Sequence, residues 1–224
     1  MSVLITPSTF SFLEQLSQNN NREWFEVHKK HFKEHETNFK HFCETLKNKM
    51  NVHDELEGAK VFRIYRDVRF SANKVPYKTH FAGVFMRVKP KLRGSYYLHI
   101  TPGGSFIATG FWDPEKNDLL RIRKELEIDA DEFRNIVQEQ AFQKVWGKLE
   151  GEEVKTAPKG FDKNHKNIDL IRKKQYIFTR EFTDSQVTSG TFLEEVNSSF
   201  KAVRPFFDYM TDVLTTNLNG ESLL

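Results

Sequence analysis

The apolar residues in the first third of the chain change their spacing once, and this change limits the folds that the chain can adopt. From Trp24 to about Met50 they recur every three, four or seven residues, which predicts a long amphipathic helix. From Val61 to Phe70 they alternate with polar residues, which predicts a half-buried β-strand. Helical and strand periods in succession favour a fold that combines helices with a sheet.

Further alternating or apolar runs predict strands at residues 81–88, 96–101, 106–112 and 176–182. The second and third of these runs are joined by Pro102-Gly103-Gly104, which has the composition of a tight turn. The first three runs therefore favour an antiparallel meander.

Shorter helical stripes precede and follow these strands. They lie around Phe12 to Leu16, after a start at Asp113 and Pro114, at residues 133–146 as two short helices, and at residues 191–218 with a break at Pro205. We therefore predict an α+β fold. It is a single domain spanning residues 1–224, with an antiparallel sheet flanked by N-terminal and C-terminal helices.

The charge balance and the cysteine content exclude several classes of protein. Lys and Arg number 34 against 31 Asp and Glu, so the net charge of +3 is far from the excess of a dedicated nucleic-acid binder. The single cysteine, Cys43, excludes an intramolecular disulfide and favours a cytoplasmic location. Because it shares a helical stripe with Phe39 and Leu46, we predict a buried thiol without a catalytic role. No secretory signal and no membrane segment is expected.

Residues 63–78, called here the basic segment, carry the most unusual concentration of charge in the chain. Five positive groups against one negative group give the segment +4, which exceeds the +3 of the whole chain. The predicted strand places Arg63, Tyr65, Asp67 and Arg69 on one face, where two guanidinium groups can fork around a phosphate or carboxylate. Arg66 falls on the apolar face, so it is expected to pair with a buried carboxylate or to project at the end of the strand.

The predicted site extends beyond that strand face. Asp67 and His99 are the candidate acid–base residues, since His99 alternates with apolar residues in a strand expected beside the basic segment. No metal site is predicted, because His28, His31 and His35 stand among charged residues typical of a solvated helix side. The predicted ligand-binding residues are Arg63, Tyr65, Arg66, Arg69, Lys74, Tyr77, Lys78, Lys159 and Arg180. Structural ion pairs on a solvated sheet face explain the same arginines equally well.

Several motifs together resemble one family. They are Asn20-Asn21-Arg22-Glu23-Trp24-Phe25, Phe62 to Ser71 with Lys74 and Pro76-Tyr77-Lys78, Tyr96 to Ile100, and Pro158-Lys159-Gly160-Phe161 with Asp162 and His165. Over its full length the chain resembles the family of conserved hypothetical proteins numbered DUF2461. The resemblance implies a shared fold and a shared site, but it implies no reaction.

From these residues we expect a site for a phosphorylated or otherwise anionic small ligand on the basic segment. The alternatives are a nucleic-acid binding module, since Arg, Lys and aromatic residues interleave there, and a non-catalytic protein-interaction domain. Gly103-Gly104 lacks the spacing of a phosphate-binding loop, and no known catalytic signature is present. The sequence therefore leaves open whether the protein is an enzyme, and it identifies no cofactor.

Overall fold

A computed structural model describes residues 4–224, which form a five-stranded antiparallel sheet with helices before and after it. The strands are hydrogen-bonded in chain order, β1-β2-β3-β4-β5, as a meander requires. This arrangement confirms the predicted α+β class and the flanking helices. The elements in chain order are α1 (Pro7–Gln18), α2 (Arg22–Met50), β1 (Leu56–Val61), β2 (Phe81–Arg87), β3 (Ser95–Ile100), β4 (Ser105–Phe111), α3 (Lys116–Ile128), α4 (Asp131–Gln138), α5 (Gln140–Trp146), α6 (Ile168–Ile171), β5 (Tyr176–Phe182), α7 (Asp184–Val187), α8 (Phe192–Ala202) and α9 (Arg204–Thr215).

The chain divides into two compact units. The first unit comprises the chain up to Phe85 together with Tyr97–Ile107 and Glu181–Ser198. The second unit comprises Met86–Tyr96, Ala108–Arg180 and Ser199–Leu224. The extension of a single domain over residues 1–224 stays a prediction.

In the first unit, the long helix α2 covers one face of strand β2. Phe39 and Phe32 approach the ring of Phe81 at 5.5 Å and 6.0 Å between ring centres. A Cβ atom at Gly83 would lie 3.1 Å from Cys43 Sγ, so this glycine permits the close approach of helix and strand. Cys43 is 1% exposed, which confirms its predicted burial, and burial raises the pKa of its thiol.

In the second unit, helix α9 supplies the central aromatic side chains. Phe206 is fully buried and contacts Phe178 of β5 at 5.1 Å between ring centres. The buried Arg87 of β2 donates a hydrogen bond to the carbonyl of Arg93, and its guanidinium lies 3.6 Å from the carboxylate of Asp208. A buried cation held in this way supports the fold, because removal of one partner would leave the other charge uncompensated.

The strand predicted at residues 61–70 is wrong. Strand β1 ends at Val61, and residues 62–80 are irregular except for one isolated antiparallel bridge between Tyr65 and Tyr77. Two backbone hydrogen bonds flank that bridge, and beyond it the amide of Val75 bonds to the side chain of Asn73. Pro76 has no N–H to donate, so the pairing cannot extend into a strand ladder.

Other differences concern element boundaries. Helix α3 begins at Lys116, three residues after Asp113, and the short helix α7 was not predicted. Pro205 lies in the first turn of α9, where its missing N–H costs no helical hydrogen bond, so the predicted break is confirmed. Within residues 4–224, no helix has the length and apolar character needed to cross a membrane.

Candidate functional site

Tyr77 anchors the basic segment to helix α2. The side chain of Asn20 donates to the carbonyl of Tyr77 at 2.9 Å and accepts from its amide at 3.1 Å. The ring of Tyr77 stacks on Phe25 at 3.9 Å between ring centres and is only 4% exposed. The bridge to Tyr65 then ties the first part of the segment to the last. Tyr77 and Tyr65 thus have structural roles in positioning the neighbouring charges.

Asp67 and Arg69 neutralise each other at the tip of the segment. The guanidinium of Arg69 donates to both carboxylate oxygens of Asp67, at 3.0 Å and 2.6 Å. These hydrogen bonds hold the pKa of Asp67 below its usual value. A carboxylate with a lowered pKa is a weak base, and Arg69 is already engaged. Because no strand aligns Arg63 with Arg69, the predicted fork of two guanidinium groups on one strand face is wrong.

Arg66 and Lys74 are bonded to backbone carbonyls of the same segment. Arg66 is half-buried and donates to the carbonyl of Val75 at 3.3 Å. The ammonium of Lys74 donates to the carbonyl of Val68 at 2.9 Å. Within residues 4–224, Arg66 has no carboxylate partner and lies at no strand end, so both predicted alternatives for it are wrong. Both side chains therefore form hydrogen bonds within the basic segment.

Arg63 and Lys78 are the two cations of the segment that remain unengaged. Neither side chain makes a hydrogen bond or an ion pair with any residue in the described range 4–224. Lys78 is half-buried, and its pKa is lowered first by this burial and then by the charge of Arg63. Its ammonium lies 5.3 Å from the ring centre of Phe62, within the range of a cation–π contact. A partly buried ammonium with a like charge acting on it favours a bound anion.

A group of rings on and beside strands β3 and β4 lies next to Lys78; we call Phe62, His80, Tyr97, His99 and Phe106 the histidine–aromatic face. The imidazoles of His80 and His99 are 4.2 Å apart between ring centres. The hydroxyl of Tyr97 is 3.1 Å from Nδ1 of His99. The ring of His99 stacks on Phe106 at 4.7 Å. This face therefore combines hydrogen-bonding groups with flat apolar surfaces.

Partial burial favours the neutral form of both imidazoles of this face. Burial, then the neighbouring His99 and Lys78, lowers the pKa of His80 to about 4. Burial also lowers the pKa of His99. Each ring can then accept a hydrogen bond at one nitrogen and donate at the other. The effect of Lys78 on His80 links the unengaged cations with the histidine–aromatic face.

Sequence reasoning identified His99 but missed His80, Tyr97, Phe62 and Phe106. The signal was present in the alternation of the strands, because residues 97 and 99 share one side of β3 while Leu98 between them is fully buried. His80 stands directly before β2, and its ring lies 4.2 Å from that of His99 between ring centres. The alternation of apolar and polar residues did not predict the irregular backbone between Val61 and His80, which brings His80 and Phe62 to this face.

The remaining predicted ligand-binding residues, Lys159 and Arg180, belong to the second unit. Lys159 is exposed in a turn beside Gly160, whose φ of 88° is a conformation that favours glycine. Arg180 donates to the hydroxyl of Ser199 at 2.5 Å. Their role in ligand binding stays a prediction.

The histidines of helix α2 are engaged in local contacts. His28 stacks on Trp24 at 3.9 Å, and Nδ1 of His35 is 3.2 Å from the hydroxyl of Thr9. Among residues 4–224, no group of three or more His, Cys, Asp or Glu side chains is arranged to hold a metal ion. An open depression of 530 Å³ lies between the β3–β4 turn and α7, and no residue of the basic segment lines it.

Comparison with known proteins identifies one family. The family described as "Conserved hypothetical protein (DUF2461)" matches residues 8–209 of the 224-residue chain. The chain belongs to the DUF2461 family. The match covers the basic segment and every residue of the histidine–aromatic face. No curated protein and no solved structure gives a significant match to this DUF2461 chain.

Replacement of Asn20 tests the anchoring of Tyr77 in this DUF2461 protein. Asn20→Ala leaves the amide and carbonyl of the buried Tyr77 without partners, so we expect a loss of about 1–3 kcal/mol in the free energy of unfolding by urea. Asn19→Ala is the matched control, because the Asn19 side chain makes a single exposed hydrogen bond to Gln15. Equal stabilities of the two variants would show that the Asn20 contacts do not hold the segment.

The neutral state of His80 makes the stability of the protein depend on pH. Between its ordinary value of 6.5 and about 4, the unfolded chain binds a proton at His80 that the folded protein does not. Stability should therefore fall as the pH decreases through this window, by about 1–2 kcal/mol once solvent screening of the half-exposed ring is allowed for. His80→Leu should flatten this part of the profile in urea unfolding between pH 7.5 and 4, and identical slopes would contradict the assignment.

Proposed function

We propose that the protein binds a phosphorylated or otherwise anionic small ligand through Arg63 and Lys78. The observation that carries this proposal is the absence of any hydrogen bond or ion pair from either cation to residues 4–224. Elsewhere in the basic segment the positive groups are bonded to Asp67 or to backbone carbonyls. The excess charge of the segment is thus concentrated on two neighbouring side chains.

The electrostatics of Lys78 support the same proposal. Its pKa is lowered by burial and by Arg63, so the charged form is less stable than it would be in water. A bound phosphate offsets both effects, because it supplies opposite charge to two cations and accepts hydrogen bonds from the guanidinium in a fork. An exposed, well-solvated lysine would gain much less from the same anion.

The neighbouring imidazoles supply the polar contacts that a ligand needs beyond its charge. The positive charge of Lys78 contributes to the lowered pKa of His80. The rings of His80 and His99 are 4.2 Å apart between their centres. His99, held beside the Tyr97 hydroxyl, is better suited than Asp67 to exchange a proton with a bound ligand, since Asp67 is fixed by Arg69. A cytoplasmic location is part of the proposal, and the single buried cysteine supports it.

A protein-interaction role is the second candidate function, and Phe70 is the observation that favours it. Its ring is 97% exposed at the tip of the basic segment, beside the guanidinium of Arg69. Exposed aromatic side chains are enriched where partners dock. The two functions use different residues, so one set of variants separates them.

Alanine variants test the proposed anion site. Arg63→Ala and Lys78→Ala should each weaken the binding of phosphate-bearing compounds by ~1.5–3 kcal/mol, the scale of a charge-assisted hydrogen bond, in calorimetric titrations. Arg63→Lys should recover only part of the loss, because an ammonium cannot form the same fork. Thermal stability should change little.

Three controls make this measurement specific. Lys30→Ala removes an exposed lysine of α2 and should leave affinity unchanged, as should Phe70→Ala. Arg69→Ala should have a smaller effect than Arg63→Ala, since Arg69 is paired with Asp67. If no phosphorylated compound binds, or if Lys30→Ala weakens binding as much as Lys78→Ala, the anion site is rejected.

A further inference from the structure

Four partly exposed rings lie together beside the unengaged cations. Phe62 is 6.3 Å from Tyr97 between ring centres, Tyr97 is 5.8 Å from Phe106, and Phe106 is 4.7 Å from His99. All four side chains are half-buried, whereas Leu98, on the opposite side of β3, is fully buried. Flat ring surface therefore remains available on this side of the sheet.

Positive charge and ring surface adjoin each other at Phe62. The ammonium of Lys78 lies 5.3 Å from the centre of that ring, and the charge of Arg63 acts on the same ammonium. A ligand that carried only a phosphate would use the cations and leave the rings in contact with water. A ligand with a planar aromatic group next to its phosphate would cover both surfaces.

We propose that the ligand of the histidine–aromatic face is a nucleoside monophosphate, whose phosphate binds Arg63 and Lys78 while its base packs against the rings. The proposal rests on the anion site proposed above and names the chemical class of its ligand. The hydroxyl of Tyr97 and the imidazoles of His80 and His99 supply hydrogen-bonding groups for the edge of the base or for the ribose.

The number of unengaged cations favours a single nucleotide over a nucleic-acid strand. A strand carries one phosphate per nucleotide and is bound through a row of cations. Here Arg66, Arg69 and Lys74 are bonded within their own segment, which leaves Arg63 and Lys78 for one phosphate group. The net charge of +3 likewise lacks the excess that is typical of a dedicated nucleic-acid binder.

Calorimetric titration of the full chain can separate the contribution of the base from that of the phosphate. Adenosine 5′-monophosphate and uridine 5′-monophosphate are compared with ribose 5-phosphate and inorganic phosphate. At least one of the two nucleotides should bind about tenfold more tightly than ribose 5-phosphate, because stacking of a base on aromatic rings typically contributes a factor of this order. Lys78→Ala should weaken the binding of all the phosphate compounds.

Phe106→Leu tests the rings directly, because it removes the flat surface and keeps an apolar side chain. We expect the affinity for the preferred nucleotide to fall about tenfold and the affinity for ribose 5-phosphate to change less than twofold. Phe161→Leu is the control: like Phe62, Phe161 lies beside a lysine, here Lys124 at 4.7 Å, but that lysine is paired with Glu127. The control variant should bind like the wild type, and thermal melting should show that both variants are folded.

Each remaining outcome decides between the proposals. If ribose 5-phosphate binds as tightly as both nucleotides in a manner that depends on Lys78, the nucleotide proposal is overturned and the anion site stands. If no compound shows dependence on Lys78 and Arg63, both proposals fail. If a single-stranded decanucleotide binds more than a hundredfold more tightly than either nucleotide, with strong dependence on salt, the surface binds nucleic acid and the single-nucleotide proposal is overturned.

Discussion

The candidate site depends on the way one buried tyrosine is held. Tyr77 stacks on Phe25, and both polar groups of its backbone bond to the side chain of Asn20. Since Lys78 follows directly, its backbone is placed by this anchor rather than by a strand. The isolated bridge between Tyr65 and Tyr77 holds the backbone near Arg63, at the other end of the segment, close to this anchor. A rigid frame of this kind reduces the entropy lost when a ligand is bound.

Local pairing decides which charges of the basic segment are available. The basic segment has a net charge of +4, but only some of its cations are without a hydrogen-bond or ion-pair partner within residues 4–224. Arg69 bonds to Asp67, and Lys74 bonds to the carbonyl of Val68, so both are held by neighbours a few residues away. Arg63 and Lys78 lack such neighbours, and their mutual repulsion and the partial burial of Lys78 make an anion favourable there. Charge content alone would have suggested a broader and less specific surface.

The sequence predicted the parts of the fold in which burial and periodicity coincide. The stripe from Phe32 to Cys43 became the buried side of α2, and the alternation around Leu98 became β3. The alternation after Val61 was misleading, because it reflects alternating exposure in an irregular loop and not a strand. In that loop Ile64 is buried between the exposed residues Arg63 and Tyr65. Whether an extended run finds a partner depends on distant contacts, such as Asn20 with Tyr77, which are 57 residues apart.

The site was predicted only in part for the same reason. His99 could be assigned from its own strand. His80 belongs to the site because it lies beside His99 and because burial, His99 and Lys78 lower its pKa. Arg63 and Arg69 looked equivalent because both stand on the same side of an alternating run. Only three-dimensional placement reveals that one is paired with Asp67 and the other makes no hydrogen bond or ion pair within residues 4–224.

The most direct test is an NMR titration of the His80 imidazole, in the absence and presence of inorganic phosphate. The free protein should give a pKa for His80 of about 4, because the ring is partly buried beside His99 and Lys78. Phosphate bound at Lys78 and Arg63 should raise that pKa, since a nearby anion favours the charged imidazole. An ordinary pKa that does not change when phosphate is added would contradict the account.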